Sequence, residues 1–283
     1  MLRSKTYGWL VAIVMASLAC SMSGLSEPAS NGPLDSNSLA TIVVGTANAA
    51  AAQTAQVDLL TSVPSGASAK AAGPATPTPI PLNMSAEGTA LVKQGDGSYI
   101  FTDQQAGYSI VIPSVWLALR IDEQDFSNAR LSLANADPLI QGALSNFQNS
   151  DPNAYRLVGF DTSPDSLKTG CVSNLLFVWD RNDKATLEQD IAEAAKGPPQ
   201  SSSPTKVTYA GMGATSSHLP MGIIETSKEE TTTSKQILNL YQKMILFKLR
   251  TGSLTIILTT EVQLKGKFLP GFDLMTDRIK LLP

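Results

Sequence analysis

The sequence predicts an α+β fold built on a mainly antiparallel sheet, and three observations carry that expectation. Two pairs of β-prone runs are joined by short polar turns: Tyr99–Phe101 with Tyr108–Ile112 across Asp103–Gly107, and Ile237–Leu249 with Leu254–Thr260 across Arg250–Ser253. The last third of the chain is a succession of strand-like runs, Lys206–Ala210 and Met221–Thr226 preceding that second hairpin. Helical patterns are few and do not alternate regularly with the strands, so there is no βαβαβ repetition and the helices must cover the faces of the sheet.

Before any of these elements comes a leader. Arg3 and Lys5 are followed by an apolar segment, Gly8–Ala19, of signal-peptide length, and then by the small-residue run Ser17-Leu18-Ala19-Cys20-Ser21. This resembles a bacterial lipoprotein signal with its lipobox, although Ser17 stands where such boxes usually carry leucine. The resemblance implies removal of residues 1–19, lipid on the sulfur of Cys20, and an extracytoplasmic protein anchored to the cell membrane or envelope.

Between Ser21 and Lys93 there is no aromatic residue, and the only charged ones are Glu27, Asp35, Asp58, Lys70, Glu87 and Lys93. Such a segment has too little bulky apolar surface to offset its ordering entropy, so residues 20–93 are expected to form a disordered tether rich in Ala, Ser, Thr and Pro. Leu39–Val44 and Ala47–Ala52 are interrupted by polar residues and fall short of a membrane span. Pro74, Pro77, Pro79 and Pro81 favour an extended polyproline conformation. As a coil the tether would span about 45 Å. Every aromatic residue outside the leader lies between Tyr99 and Phe272, which places one globular domain at residues 94–283.

Within that domain the first hairpin is closed by Pro113, after which Trp116, Leu117 and Leu119 return to apolar character. Asp137-Pro138 pairs a capping residue with proline at the first helical position, and Leu139, Ile140, Ala143, Leu144 and Phe147 follow at helical spacing, so a helix is expected over Pro138–Gln148. Tyr155–Asp161 and Val172–Trp179 read as strands, the second almost continuously apolar and therefore central. Thr186 and Gln189 form a capping-box pattern for a helix through Ala195, ended by Gly197-Pro198-Pro199. Phe268, Phe272, Met275 and Ile279 lie on one face of a closing helix whose start Pro270-Gly271 is expected to delay. Trp116 and Trp179 are expected in the core.

Tyr108-Ser109-Ile110-Val111-Ile112-Pro113-x-x-Trp116, the helix at Thr186, the strand at Gly222 and the long C-terminal hairpin followed by Phe268–Leu282 resemble the PsbP-like superfamily. That group takes in extrinsic photosystem proteins, a Ran-release-factor family and many bacterial lipoproteins. The resemblance implies an α-β-α sandwich around the antiparallel sheet. Its members differ widely in function, so no metal or partner site is carried over.

The chain carries 21 Lys plus Arg against 24 Asp plus Glu, a net charge of −3, and offers no basic stripe for nucleic acid. With Cys20 given to lipid, Cys171 is expected to be a buried thiol with no disulfide partner. His218 is the only histidine, too few for a histidine metal site, and no G-x-S-x-G elbow is present for a serine triad. Gly211-Met212-Gly213 begins a glycine-rich pattern that opens into a loop and not a helix, so it makes no phosphate cradle. Asp161 and Asp165, then Asp180 and Asp183, put carboxylates close together after strands, without the glycine and distal glutamate of a calcium loop. Turn formation explains both pairs. The sequence therefore assigns no catalytic residue, cofactor or metal. It points to a membrane-anchored binding or assembly module with an envelope protein as partner. The alternatives are an enzyme built on Asp161, Asp165, Asp180 and Asp183, or a small-ligand carrier.

Overall fold

The computed structural model describes residues 84–121, 126–129, 131, 138–147, 150–197, 205–231 and 235–283. The leader, Cys20, Asp137 and the tether as far as residue 83 lie outside them. All described residues belong to one compact unit.

Two antiparallel sheets account for the strands. The smaller joins β1 (Thr89–Lys93), β2 (Tyr99–Asp103), β3 (Tyr108–Ile112) and β11 (Lys280–Leu281) in that order. The larger is seven-stranded, in the order β4 (Leu117–Leu119), β5 (Tyr155–Phe160), β6 (Asn174–Asp180), β10 (Gly252–Glu261), β9 (Ile237–Leu249), β8 (Pro220–Thr231) and β7 (Lys206–Ala214). The helices are α1 (Pro138–Phe147), α2 (Pro164–Lys168), α3 (Leu187–Ala194) and α4 (Lys265–Asp277).

The protein is thus α+β with antiparallel sheets, as the strand runs and hairpins require. The expectation of one sheet is corrected to two. Pro113 ends β3, and the chain then crosses to β4, which pairs with β5 in the larger sheet, while the free side of β3 is taken by β11 through Lys280 opposite Ser109. Residues 94–283 are also too short a domain. β1 precedes Gln94 and pairs with β2 from Thr89 opposite Asp103 to Lys93 opposite Tyr99, with Thr89 and Ala90 buried. Five residues of modest β character give little signal alone; burial against β2 orders them.

Alternation along the central strands separates two cores. Leu176 on β6, Met244 and Leu246 on β9, and Ile257 on β10 face α1 and α3, whose Ile140, Leu144, Phe147, Leu187 and Ile191 cover them. Leu175, Phe177, Ile245, Phe247, Ile256 and Leu258 point the other way, toward the small sheet and Phe268, Phe272 and Met275 of α4. β6, third in the larger sheet, is central as its apolar run predicts. Trp116 and Trp179 are 2% and 3% exposed, core residues as expected. Trp116 stacks 5.0 Å from Phe268, and the Trp179 indole N–H donates to the Thr251 carbonyl at 3.0 Å.

Local signals work where they are chemical. The Thr186 hydroxyl accepts from the Gln189 N–H while the Gln189 side chain accepts from the Thr186 N–H, so the capping box forms. Gly252, after the two-residue turn Arg250-Thr251, has φ +116° and sits where a Cβ would lie 2.0 Å from the Asp180 carbonyl oxygen. No other residue fits. Pro270 does not delay α4, which starts at Lys265 and carries the proline inside it. An internal proline costs about 3 kcal/mol. Burying Phe268, Phe272 and Met275, at about 1.5–3 kcal/mol each, outweighs that cost.

Candidate functional site

The four suspected carboxylates do not converge. Asp161 follows β5 at the end where Phe160 pairs with Asn174, while Asp180 closes the opposite end of β6. Six residues of strand separate the two ends by about 20 Å. Asp161 is 1% exposed; it accepts from the Ser163 N–H at 3.0 Å, the Ser163 hydroxyl at 2.8 Å and Lys267 Nζ at 3.2 Å. Asp165 lies exposed in the first turn of α2, 3.9 Å from Lys168. Asp180 accepts from the Asn182 N–H at 2.8 Å, which is turn chemistry. Only Asp183 enters a charged cluster. Lys248 of β9 reaches it at 2.5 Å and reaches Asp190 of α3 at 2.5 Å, bridging the β6–α3 loop, the helix and the sheet.

That cluster divides its two carboxyls. Burial would raise Asp183, but the Lys248 ammonium, the Ala185 N–H and Ser253 outweigh it and hold the carboxyl below its ordinary range. At Asp190 burial dominates, opposed by Lys248 and reinforced by the Asp183 charge, and the carboxyl is pushed up. Burial would lower Lys248, yet its two carboxylates leave the ammonium above its ordinary value. Opposed carboxyls can serve acid–base chemistry, but structural ion pairs perturb carboxyls in the same way. Both oxygens facing Lys248 are already occupied by it, and the arrangement reads as a brace.

A second cluster lies on the α4 side of the sheet. Lys243 is 2.7 Å from Asp273 and 4.0 Å from Glu225, which stands opposite it across β8 and β9. Lys265 sits 3.7 Å from Glu225 and 3.9 Å above the ring of Tyr241. Tyr241 is 4% exposed, and burial with Glu225 and Asp273 nearby drives its phenol far up, so it stays protonated.

The third is the most deeply buried. Arg156 of β5 donates from Nε to Asp103 Oδ2 at 2.6 Å and from Nη2 to Asp103 Oδ1 at 3.1 Å, both side chains being fully buried. Its remaining donors reach the Pro152 carbonyl at 3.0 Å and the Glu87 carbonyl at 2.6 Å. Asp103 also accepts from the Ala106 N–H at 2.9 Å. The guanidinium groups of Arg156 and Arg181 each lie over the Trp179 ring, 5.1 Å and 4.8 Å from its centre. The adjoining cleft, between Thr89, Arg120, Pro152 and Tyr155, has about 10 Å³ of room, that of one water.

His218 lies exposed in the β7–β8 turn with φ +63°, its N–H donating to the Thr215 carbonyl at 2.9 Å. Gly211 and Gly213, expected to open a loop, lie inside β7 opposite Ile223 and Met221. Pairing with β8 keeps the strand running through them. Among the described residues no three His, Cys, Asp or Glu side chains group as metal ligands. Cys171 is buried as expected, at 1% exposure.

Asp190, Lys248, Arg156 and Asp103 escaped the sequence reading because each partner lies on a different element. The Asp103–Arg156 pair, 53 positions apart in sequence, had no local signal at all. Glu225 and Lys243 become readable once the β8–β9 register is known.

No family model matches the chain. No curated relative matches it. Among solved structures it is similar to the cyanobacterial PsbP protein CyanoP from Synechocystis, at a TM-score of 0.41 and 10% identity, covering 66% of this chain and 94% of that one. It is also similar to a protein of unknown function from Pseudomonas aeruginosa, at a TM-score of 0.32 and 13% identity, covering 40% of this chain and 75% of that one. At these scores neither likeness carries an argument about function, and the α+β assignment stands on strand pairing and packing.

Proposed function

We propose that this chain is an extracytoplasmic lipoprotein, anchored through lipid on Cys20, whose α+β domain is a non-catalytic binding or assembly module for an envelope protein. The single observation that carries the anchoring is the leader with its Ser17–Ser21 box. Among the described residues no helix is long and apolar enough to cross a membrane. The module reading is supported by how the charged residues are used. Each inward carboxylate described above is engaged by a cation from another element, and the cleft beside Arg156 admits about one water. Holding such a module at a surface raises its effective concentration toward partners there, so modest contacts suffice.

Replacing Cys20 with Ala and fractionating the cells tests the anchor: the variant is expected to leave the membrane fraction, and unchanged, salt-resistant association would refute it. Capture of envelope proteins on the full chain is expected to recover a defined partner. No partner, together with hydrolase turnover that is lost on replacing Asp180 and Asp183, would mean that the enzyme reading is right.

A further inference from the structure

We propose that the outer edge of β7 is a self-association surface, where a second copy of this chain adds its own β7 antiparallel and joins two seven-stranded sheets into one. This stands independently of the anchor and of any envelope partner. The larger sheet ends at β4 on one side and at β7 on the other. β4 has three residues, whereas β7 has nine, and among the described residues no strand pairs with its outer side. Unpaired N–H and C=O groups on a long edge are a template for another strand, and proteins that must stay apart guard such edges with charge or proline. From Val207 to Ala214 there is neither. A bulge, which can also blunt an edge, lies between Val207 and Tyr209 and leaves Tyr209–Ala214 regular. Tyr209 and Met212 stand 47% and 46% exposed on that stretch.

The order of large and small residues favours this chain as its own partner. A two-fold axis through Gly211 sets Tyr209 opposite Gly213 and Met212 opposite Ala210, so each large side chain meets a small residue or none. Pairs related in this way keep their side chains on one face of the joined sheet. Lys206 falls opposite Ser216, beyond the end of the strand, so no like charges meet. One strand edge buries less than the roughly 1,200 Å² of a stable interface, so the association is concentration-dependent.

The experiment uses Gly211→Cys in the full chain, solubilised in mild detergent. A Cβ at Gly211 meets the movable Tyr209 hydroxyl at 2.6 Å, which can swing aside. Across the two-fold axis the paired α-carbons would stand about 4.5–5.5 Å apart, within disulfide reach. Mild oxidation is expected to give a reducible covalent dimer, at least about tenfold above both the parent chain and Gly95→Cys, an open position off the edge. Adding Met212→Lys is expected to cut the yield by about tenfold, by placing a charge on the edge. Equal yields from Gly211→Cys and Gly95→Cys would overturn the proposal, as would cross-linking of Gly211→Cys to another protein in place of itself. Sedimentation of the unsubstituted chain gives a second reading. A monomer throughout, up to about 100 µM, would also overturn it.

Discussion

Replacing Asp103 with Ala tests whether the buried Arg156 pair holds the two sheets together. The substitution removes the acceptor of two Arg156 bonds and of the Ala106 N–H, and leaves a fully buried guanidinium with only the Pro152 and Glu87 carbonyls. Breaking a buried pair from one side costs about 3–5 kcal/mol, because the remaining charge is uncompensated. With a urea slope of about 2 kcal/mol/M for a domain of this size, the unfolding midpoint should fall by about 1.5–2.5 M. Trp179, beside Arg156, reports the transition by fluorescence. Asp103→Asn keeps the shape and an oxygen for Ala106, so it should fold and lose less. The double variant Asp103→Leu/Arg156→Met removes both charges and should recover much of the loss. A midpoint shift under about 0.5 M for Asp103→Ala would refute the reasoning, since it would mean that Arg156 finds water or another partner.

Gly252→Ala should be among the most damaging single changes in the second hairpin. Its Cβ would collide with the Asp180 backbone and its φ of +116° is strained for any L residue, so a loss of several kcal/mol in urea unfolding is expected, and a loss under about 1 kcal/mol would contradict that geometry. The Lys248 brace makes a signed pH prediction. Asp183, held below its ordinary range, stabilises the fold above the unfolded carboxyl pKa of about 3.9, and that contribution is lost as the pH falls through its folded value. Asp190, pushed up, has the opposite sign and is relieved as the pH falls. Lys248, raised, contributes fully below the unfolded lysine pKa of about 10.4 and is lost as the pH rises through its folded value. Lys248→Met should therefore lower Tm most between those two limits, with the gap to the parent closing in acid as both carboxyls protonate; a gap independent of pH would count against the brace.

What the sequence revealed and what it withheld divide along one physical line. Signals that a residue sends to its own neighbours were legible. Thr186 and Gln189 fixed the start of α3, Arg250–Ser253 the second hairpin, and the apolar run ending at Trp179 the central strand. Signals that depend on which element lies alongside were not. Thr89–Lys93 reads as tether in the sequence because it acquires its burial from β2, and Pro270 reads as a barrier to α4 because the apolar face that overrides it is seen only against the sheet. The candidate site shares this limit more severely. Asp161, Asp165, Asp180 and Asp183 are close in sequence pairs yet lie at opposite ends of β6, while Lys248, which joins Asp183 to Asp190, comes from another strand altogether.

That distribution of charge bears on where a partner can dock. Four cations are spent on carboxylates of a different element: Arg156 on Asp103, Lys243 on Asp273 and Lys248 on Asp183 and Asp190 from the sheets, and Lys267 of α4 on Asp161. Withdrawing any one of them to grip a charged ligand would leave a carboxylate partly buried and unpaired, which costs more than an exposed ion pair returns. Charge-steered binding through these residues is therefore disfavoured by the fold itself. The edge of β7 carries no such obligation, since from Val207 to Ala214 it has backbone groups and uncharged side chains and nothing to release. Contacts made there by main-chain pairing are short-ranged and nearly indifferent to salt, whereas contacts through the braced charges would weaken as the Debye length shrinks from about 10 Å at 0.1 M to about 3 Å at 1 M. A complex held by the β7 edge is therefore expected to persist at 1 M salt, and one held through the braced charges to weaken.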